Sequence, residues 1–216
     1  MSLTRSRCAA FAVLATVTLA ACTGGNDESA AEGQVEQPGV EAQAEESVKA
    51  AKSMQELSEA LEIAVPDGYM LQPDAVGDTG PSDLEKAIRD DGGDDARDVL
   101  TRTRFVRGYQ RMWSRSEDDE IIAYVYQFAD NAGAVEYTNR VTADAGAPPD
   151  GVTVEKFSVP GINGSIGVNS SDPTFATSSV TFVKGPYSVQ VVVNGASPSG
   201  LESLVTALAE EQYSRL

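Results

Sequence analysis

Residues 121–128 (IIAYVYQF) are apolar at odd and even positions alike. In an extended conformation such a segment presents an apolar side chain to both faces of its sheet, which marks a central strand that must be covered on both sides. The chain therefore needs helical layers as well as strands, and the flanking patterns supply them. Val48, Ala51, Met54, Leu57 and Leu61 recur at helical steps up to Ile63. Ser53 with Glu56 has the spacing of a capping box and moves the stable start of that helix later. Ser82 with Glu85 opens a second short helix through Arg89, and Asp94 or Asp95 caps a third to about Thr101. Asp130 caps a fourth, which carries Ala134, Val135, Thr138 and Val141. Ser199 with Glu202 opens the last, with Leu201, Leu204, Val205, Leu208 and Ala209 on one face.

Between these helices residues 105–115, 121–128, 152–157, 177–183 and 187–193 read as strands, with residues 74–81 a loop and residues 160–168 a glycine-punctuated stretch. Residues 116–120 make a polar hairpin tip, and Lys184-Gly185-Pro186 joins a second hairpin in which Tyr187, Val189, Val191 and Val193 alternate with polar residues. At 216 residues the chain has room for one such domain. The predicted fold class is α+β, a single domain with a mainly antiparallel sheet packed by helices, over residues 47–216.

The first 46 residues read as an address. Arg5 and Arg7 precede a twelve-residue apolar run, residues 8–19, which has signal-peptide proportions and is too short to span a bilayer. It ends in Leu19-Ala20-Ala21-Cys22, which resembles the lipobox of bacterial lipoproteins. The resemblance implies cleavage after residue 21, a diacylglycerol on the Cys22 thiol, and a lipid anchor on the outer face of the cell membrane. Residues 23–46 hold seven acidic residues and no basic or aromatic one, a composition that predicts a disordered tether. Fully extended, these 24 residues reach at most about 80 Å. Residues 100–216 further resemble small secreted lipoproteins of actinobacteria, through Tyr126 to Phe128, the Ala-rich helix after Asp130, Val159-Pro160-Gly161, the hairpin and the terminal helix. That likeness carries location and fold class and no active site.

Composition removes whole classes of chemistry. The chain has no His, and its two cysteines are Cys8 and Cys22, so His-dependent triads, cysteine proteases, zinc fingers and buried disulfides are excluded from the body. A net charge of −17 argues against nucleic acid as a partner. Gly-x-Ser-x-Gly, Ser-x-x-Lys and Walker A patterns do not occur, and no cofactor or metal is expected. Asp90, Asp91, Asp94, Asp95 and Asp98 lack EF-hand spacing and read as a solvated interhelical loop with capping aspartates.

One constellation remains. Phe105, Arg107, Tyr109, Arg111, Trp113 and Arg115 alternate, so an unbroken strand would present them on one face. Arg107, Tyr109, Arg111 and Trp113 are the candidate ligand-binding residues, since guanidinium forks and rings recognise anionic or sugar-like groups. Against this stands a packing role, with the rings under helices and the arginine stems covering the edge. The expected function is a noncatalytic envelope lipoprotein, bound to the membrane through its lipid, whose domain binds an envelope ligand or protein partner. The alternative is an extracellular hydrolase using Asp or Glu carboxylates.

Overall fold

The computed structural model describes residues 52–74, 76, 79–143 and 148–216. The segment read as a signal peptide, Cys22 and the segment read as a tether lie outside the described residues. Among the described residues no helix is long and apolar enough to cross a membrane.

The chain runs α1 (Met54–Ala60), β1 (Met70–Leu71), β2 (Gly80–Ser82), α2 (Leu84–Asp91), α3 (Ala96–Arg102), β3 (Phe105–Ser114), β4 (Glu120–Phe128), α4 (Asn131–Thr142), β5 (Thr153–Phe157), β6 (Ile166–Ser171), β7 (Ala176–Lys184), β8 (Tyr187–Gly195) and α5 (Leu201–Arg215). The strands form one sheet of order β1-β3-β4-β8-β7-β6-β5, with β2 also paired to β3. Every pairing is antiparallel. This is the expected α+β domain.

The two-faced strand β4 sits near the middle and feeds two cores. Its Ile121, Ala123 and Val125 join Tyr109, Trp113, Val189, Val191 and Val193 beneath α1 and α5. The alternate residues Tyr126 and Phe128 join Ala87, Leu100, Ala134 and Tyr137 of α2, α3 and α4 on the other face. A fully buried Leu or Phe side chain stabilises by about 1.5–3 kcal/mol, so Leu57, Leu61, Leu100 and Phe128, each at most 1% exposed, anchor the layers.

Local chemistry settles the helix ends. Ser53 and Glu56 make the reciprocal capping box, so α1 starts at Met54 instead of Val48. At α2 the cap is Asp83, whose carboxylate accepts from the Lys86 amide, because Ser82 is still the last residue of β2. α5 has no side-chain cap: Gly200, left-handed at φ 81°, holds the N-cap position, and Glu202 bonds Asn169 instead. The segment read as a loop before α2 contains β2, and β1 lies just ahead of it. Both are edge strands defined by their pairing with β3.

The alternating face of β3 also breaks. Phe105 pairs with Phe128 and Arg107 with Gln127, leaving Val106 as a bulge. The extra residue turns Phe105 to the α2–α4 side, where its ring meets Tyr126 edge-on at 5.3 Å. Two glycines are set by close approach. A Cβ at Gly133 would lie 2.2 Å from the Thr103 carbonyl oxygen, and one at Gly167 would lie 2.4 Å from the Phe157 ring.

Candidate functional site

From Arg107 onward the four candidate residues share the face of β3 that carries α1. Tyr109 and Trp113 are each 6% exposed and pack with Leu57 and Leu61. The Tyr109 hydroxyl donates to Asp74 Oδ2 at 2.7 Å, and burial is the main cause that raises its pKa above the usual phenol value. Arg111 ties down α1: its Nε donates to Ser58 O at 3.0 Å, and its Nη2 donates to Ser58 Oγ at 2.7 Å and to Glu62 Oε1 at 3.1 Å. The same guanidinium lies 5.7 Å from the centre of the Tyr109 ring. Tyr109, Arg111 and Trp113 are thus brought together as the seat of α1, the packing role weighed in the sequence.

Arg107 stands apart from them. It is half-buried and forms no hydrogen bond or ion pair among the described residues. Directly across from it on β4 is Gln127, 1% exposed, whose Oε1 has no hydrogen-bond partner among the described residues. Across from Gln127 on β8 is Tyr187, whose hydroxyl accepts from the Lys52 backbone amide at 3.2 Å.

The other end of the pattern, Arg115, leaves the strand and reaches solvent. Its guanidinium lies 4.9 Å from the centre of the Tyr69 ring and 3.2 Å from Asp119 Oδ2. The β3–β4 turn fixes that carboxylate, because Ser116 Oγ donates to Asp119 Oδ2 and the Arg115 amide donates to the Asp119 carbonyl. Burial raises the Tyr69 phenol pKa, partly offset by the Arg115 charge. Tyr69, Arg115 and Asp119 form one wall of a cleft of about 320 Å³, and Ser197, Ser199 and Leu204 contribute to the other. A neighbouring cleft of about 370 Å³ is lined by Glu155, Asn169, Thr177, Ser178 and Glu202 among others, with Asn169 bonded to both Ser178 and Glu202. The two clefts share Leu201.

These clefts open at the far end of the sheet from the start of α1. Lys52 touches Tyr187, the first residue of β8, whereas Gly195, its last, lines the first cleft. The nine residues of β8 put about 26 Å between those points at ~3.3 Å per step.

The aspartate run differs from its expected solvated loop. The Asp90 and Asp91 side chains are 8% and 1% exposed. Lys86 Nζ donates to Asp90 Oδ2 at 2.7 Å, to Gln110 Oε1 at 3.1 Å and to Ser82 Oγ at 3.2 Å. Asp91 accepts from Arg140 Nη1 at 2.7 Å and from the Tyr137 hydroxyl at 3.0 Å, and Arg140 also pairs with Asp95. That hydrogen bond to Arg140 is the largest cause lowering the Asp95 pKa. Burial pushes the Tyr126 and Tyr137 phenols well above the ordinary value. Cations answer Asp90, Asp91 and Asp95, and among the described residues no group of three or more acidic, His or Cys side chains is arranged to hold a metal ion.

The i,i+4 spacing of Lys86 and Asp90 could have revealed their pair, whereas Tyr69, Gln127 and Arg140 carry no sequence signal for the places they take.

No protein-family model matches the chain, and no curated protein does. Among solved structures, the extracellular domain of PknH from Mycobacterium tuberculosis is similar, at 12% identity and a TM-score of 0.42, covering 76% of this chain and 92% of that one. The likeness is weak, and no function of this chain follows from it.

Proposed function

We propose that the protein is a bacterial envelope lipoprotein, anchored through Cys22 on the outer face of the cell membrane, whose α+β domain binds an envelope ligand or protein partner without transforming it. The observation that carries this reading is the opposition of the two ends of the sheet. The chain joins the domain beside Tyr187, and the clefts open beyond Gly195. A domain tethered through its N-terminus holds such clefts away from the lipid. Tyr69, Arg115, Asp119 and the serines of the β8–α5 loop offer a ring, a guanidinium, a carboxylate and hydroxyls, which suit a polar ligand that keeps part of its hydration.

Mass spectrometry of the mature N-terminus checks the anchor: the expected species begins at Cys22 and carries a diacylglycerol, and an unmodified or different start removes it. For binding, residues 22–216 carrying Cys22→Ser are incubated with solubilised envelope, beside a variant that also carries Tyr69→Ala and Arg115→Ala. Loss of captured material at unchanged Tm is expected, and equal capture refutes the cleft. The alternative of a carboxylate hydrolase has one observation in its favour, Glu155 and Glu202 lining one cleft. Turnover of envelope glycan that disappears in Glu155→Gln or Glu202→Gln would replace binding by catalysis.

A further inference from the structure

The row Arg107–Gln127–Tyr187 crosses β3, β4 and β8 on the face that carries α1 and α5. Residues directly opposite in an antiparallel pair have Cβ atoms about 4.5–5.5 Å apart, so the three side chains are immediate neighbours. Two of them are anomalous together. Arg107 is a half-buried guanidinium with no carboxylate partner among the described residues. Gln127 is 1% exposed and its Oε1 has no hydrogen-bond partner among the described residues. A stem covering the sheet edge would account for Arg107 alone. It would not account for a carboxamide oxygen buried beside it without a partner, since buried polar groups are almost always paired.

We propose that Arg107, Gln127 and Tyr187 form a binding site for an oxyanion of the phosphate type. The guanidinium offers parallel N–H donors in the geometry that phosphate oxygens accept. The Tyr187 hydroxyl, which already accepts from the Lys52 amide, still has its own proton to donate. Gln127 Oε1, the unpartnered atom, accepts from the hydroxyl of hydrogen phosphate or from a glycerol hydroxyl of a phosphatidylglycerol headgroup, whose phosphodiester itself carries no proton. Of the nearby charged groups, Glu56 faces Tyr187, and its carboxylate is engaged by the Ser53 amide at 2.7 Å. Lys184 is opposite Tyr187 in the same row, donating to the Tyr213 carbonyl at 2.7 Å. The site is separate from the distal clefts and lies at the end where the chain enters. There the same chemistry has two sources, a phospholipid headgroup or a free phosphate.

The test uses the mature chain with Cys22→Ser. Inorganic phosphate is titrated at constant ionic strength, with chloride as control, while the side-chain resonances of Arg107 and Gln127 are followed by NMR. Saturable shifts of both are expected, and Arg107→Gln, at a half-exposed position that preserves folding, should weaken phosphate binding at least tenfold. Gln127→Leu should weaken it similarly while holding or raising Tm, because it removes an unpaired buried amide oxygen. The proposal is overturned if phosphate moves neither resonance, if Arg107→Gln binds as tightly as the parent, or if Gln127→Leu lowers Tm and leaves phosphate binding intact. Vesicles of phosphatidylglycerol and of phosphatidylcholine form a second arm. Arg107-dependent sedimentation with phosphatidylglycerol supports the site with a headgroup as its source, and phosphate binding without sedimentation supports it with a soluble one. Neither arm depends on the distal clefts, so envelope capture through Tyr69 and Arg115 can fail or succeed separately.

Discussion

Replacing Asp91 by Leu tests the buried charge network most directly. The carboxylate is 1% exposed and receives Arg140 Nη1, the Tyr137 hydroxyl and the Gly93 amide. Leucine keeps the branched shape at a larger volume and removes all three acceptor contacts, leaving a guanidinium that is 25% exposed facing apolar surroundings. Breaking a fully buried pair from one side costs about 3–5 kcal/mol; the partial exposure of Arg140, and the second carboxylate Asp95 that stays beside it, bring the expectation to about 2–4 kcal/mol. For a domain of this size that corresponds to a drop in Tm of roughly 4–16 °C at ~2–4 °C per kcal/mol. Urea unfolding followed by fluorescence reads it, because the single tryptophan, Trp113, is buried in the other core and reports global unfolding. Arg140→Leu in the Asp91→Leu background should return at least half of the loss, since the only charge then left unpaired is that of Asp95, which is 59% exposed and solvated. A single variant losing under 1 kcal/mol, or a double variant no better than the single one, would show that the network adds nothing and refute the reasoning.

Three further outcomes follow from other contacts. Gly133→Ala should destabilise more than Gly167→Ala by chemical denaturation, the latter costing about 1–3 kcal/mol, because the added methyl meets the Thr103 backbone in one case and the face of a half-buried ring in the other. Tyr126 and Tyr137, whose pKa values burial raises well above 10.0, should stay protonated in an alkaline absorbance titration until the domain unfolds. A phenol with a raised folded pKa stabilises fully below its unfolded value, so this contribution is complete at neutral pH and falls as pH climbs past about 10. Arg111→Met should cost about 1–3 kcal/mol through lost charged hydrogen bonds, and hydrogen exchange should quicken in α1 before it does in the β3–β4 pair.

Much of the fold was legible because its signals are local. The two-sided apolar run of β4, the alternation of β8 and the Asp130 cap each lie within a dozen residues, and each element formed where expected. The errors share a cause, which is dependence on distant partners. The two and three residues of β1 and β2 are too short to show alternation and are strands because β3 pairs with them. Ser82 and Ser199 have capping-box spacing, but one is held in a strand and the other is displaced by left-handed Gly200. A single bulge at Val106 put Phe105 on the wrong face. Among the candidate residues, the aromatic and basic alternation placed them on one strand and could not tell ring burial from ring display. That distinction rests on Ser58 and Leu57, some fifty residues upstream of Arg111 and Trp113. Asp91 finds Arg140 49 residues downstream, a separation that no spacing rule covers.

The strand order has a consequence for how the chain acquires its structure. β8 is the last strand in sequence yet lies between β4 and β7, where it is the only link between the β3–β4 hairpin and the β5–β7 meander among the described strands. Until residues 187–195 arrive, those two pieces have no common strand partner, and the edges of β4 and β7 stay open. α5, which closes over β7 and β8, comes later still. Closing such separated pairings is slow, because the chain entropy of the intervening loops is lost before the contacts form. A polypeptide threaded N-terminus first through a narrow conduit would therefore remain unfolded for nearly its whole passage. It would lock into shape only as its final thirty residues emerged, with no half-built sheet to jam the opening.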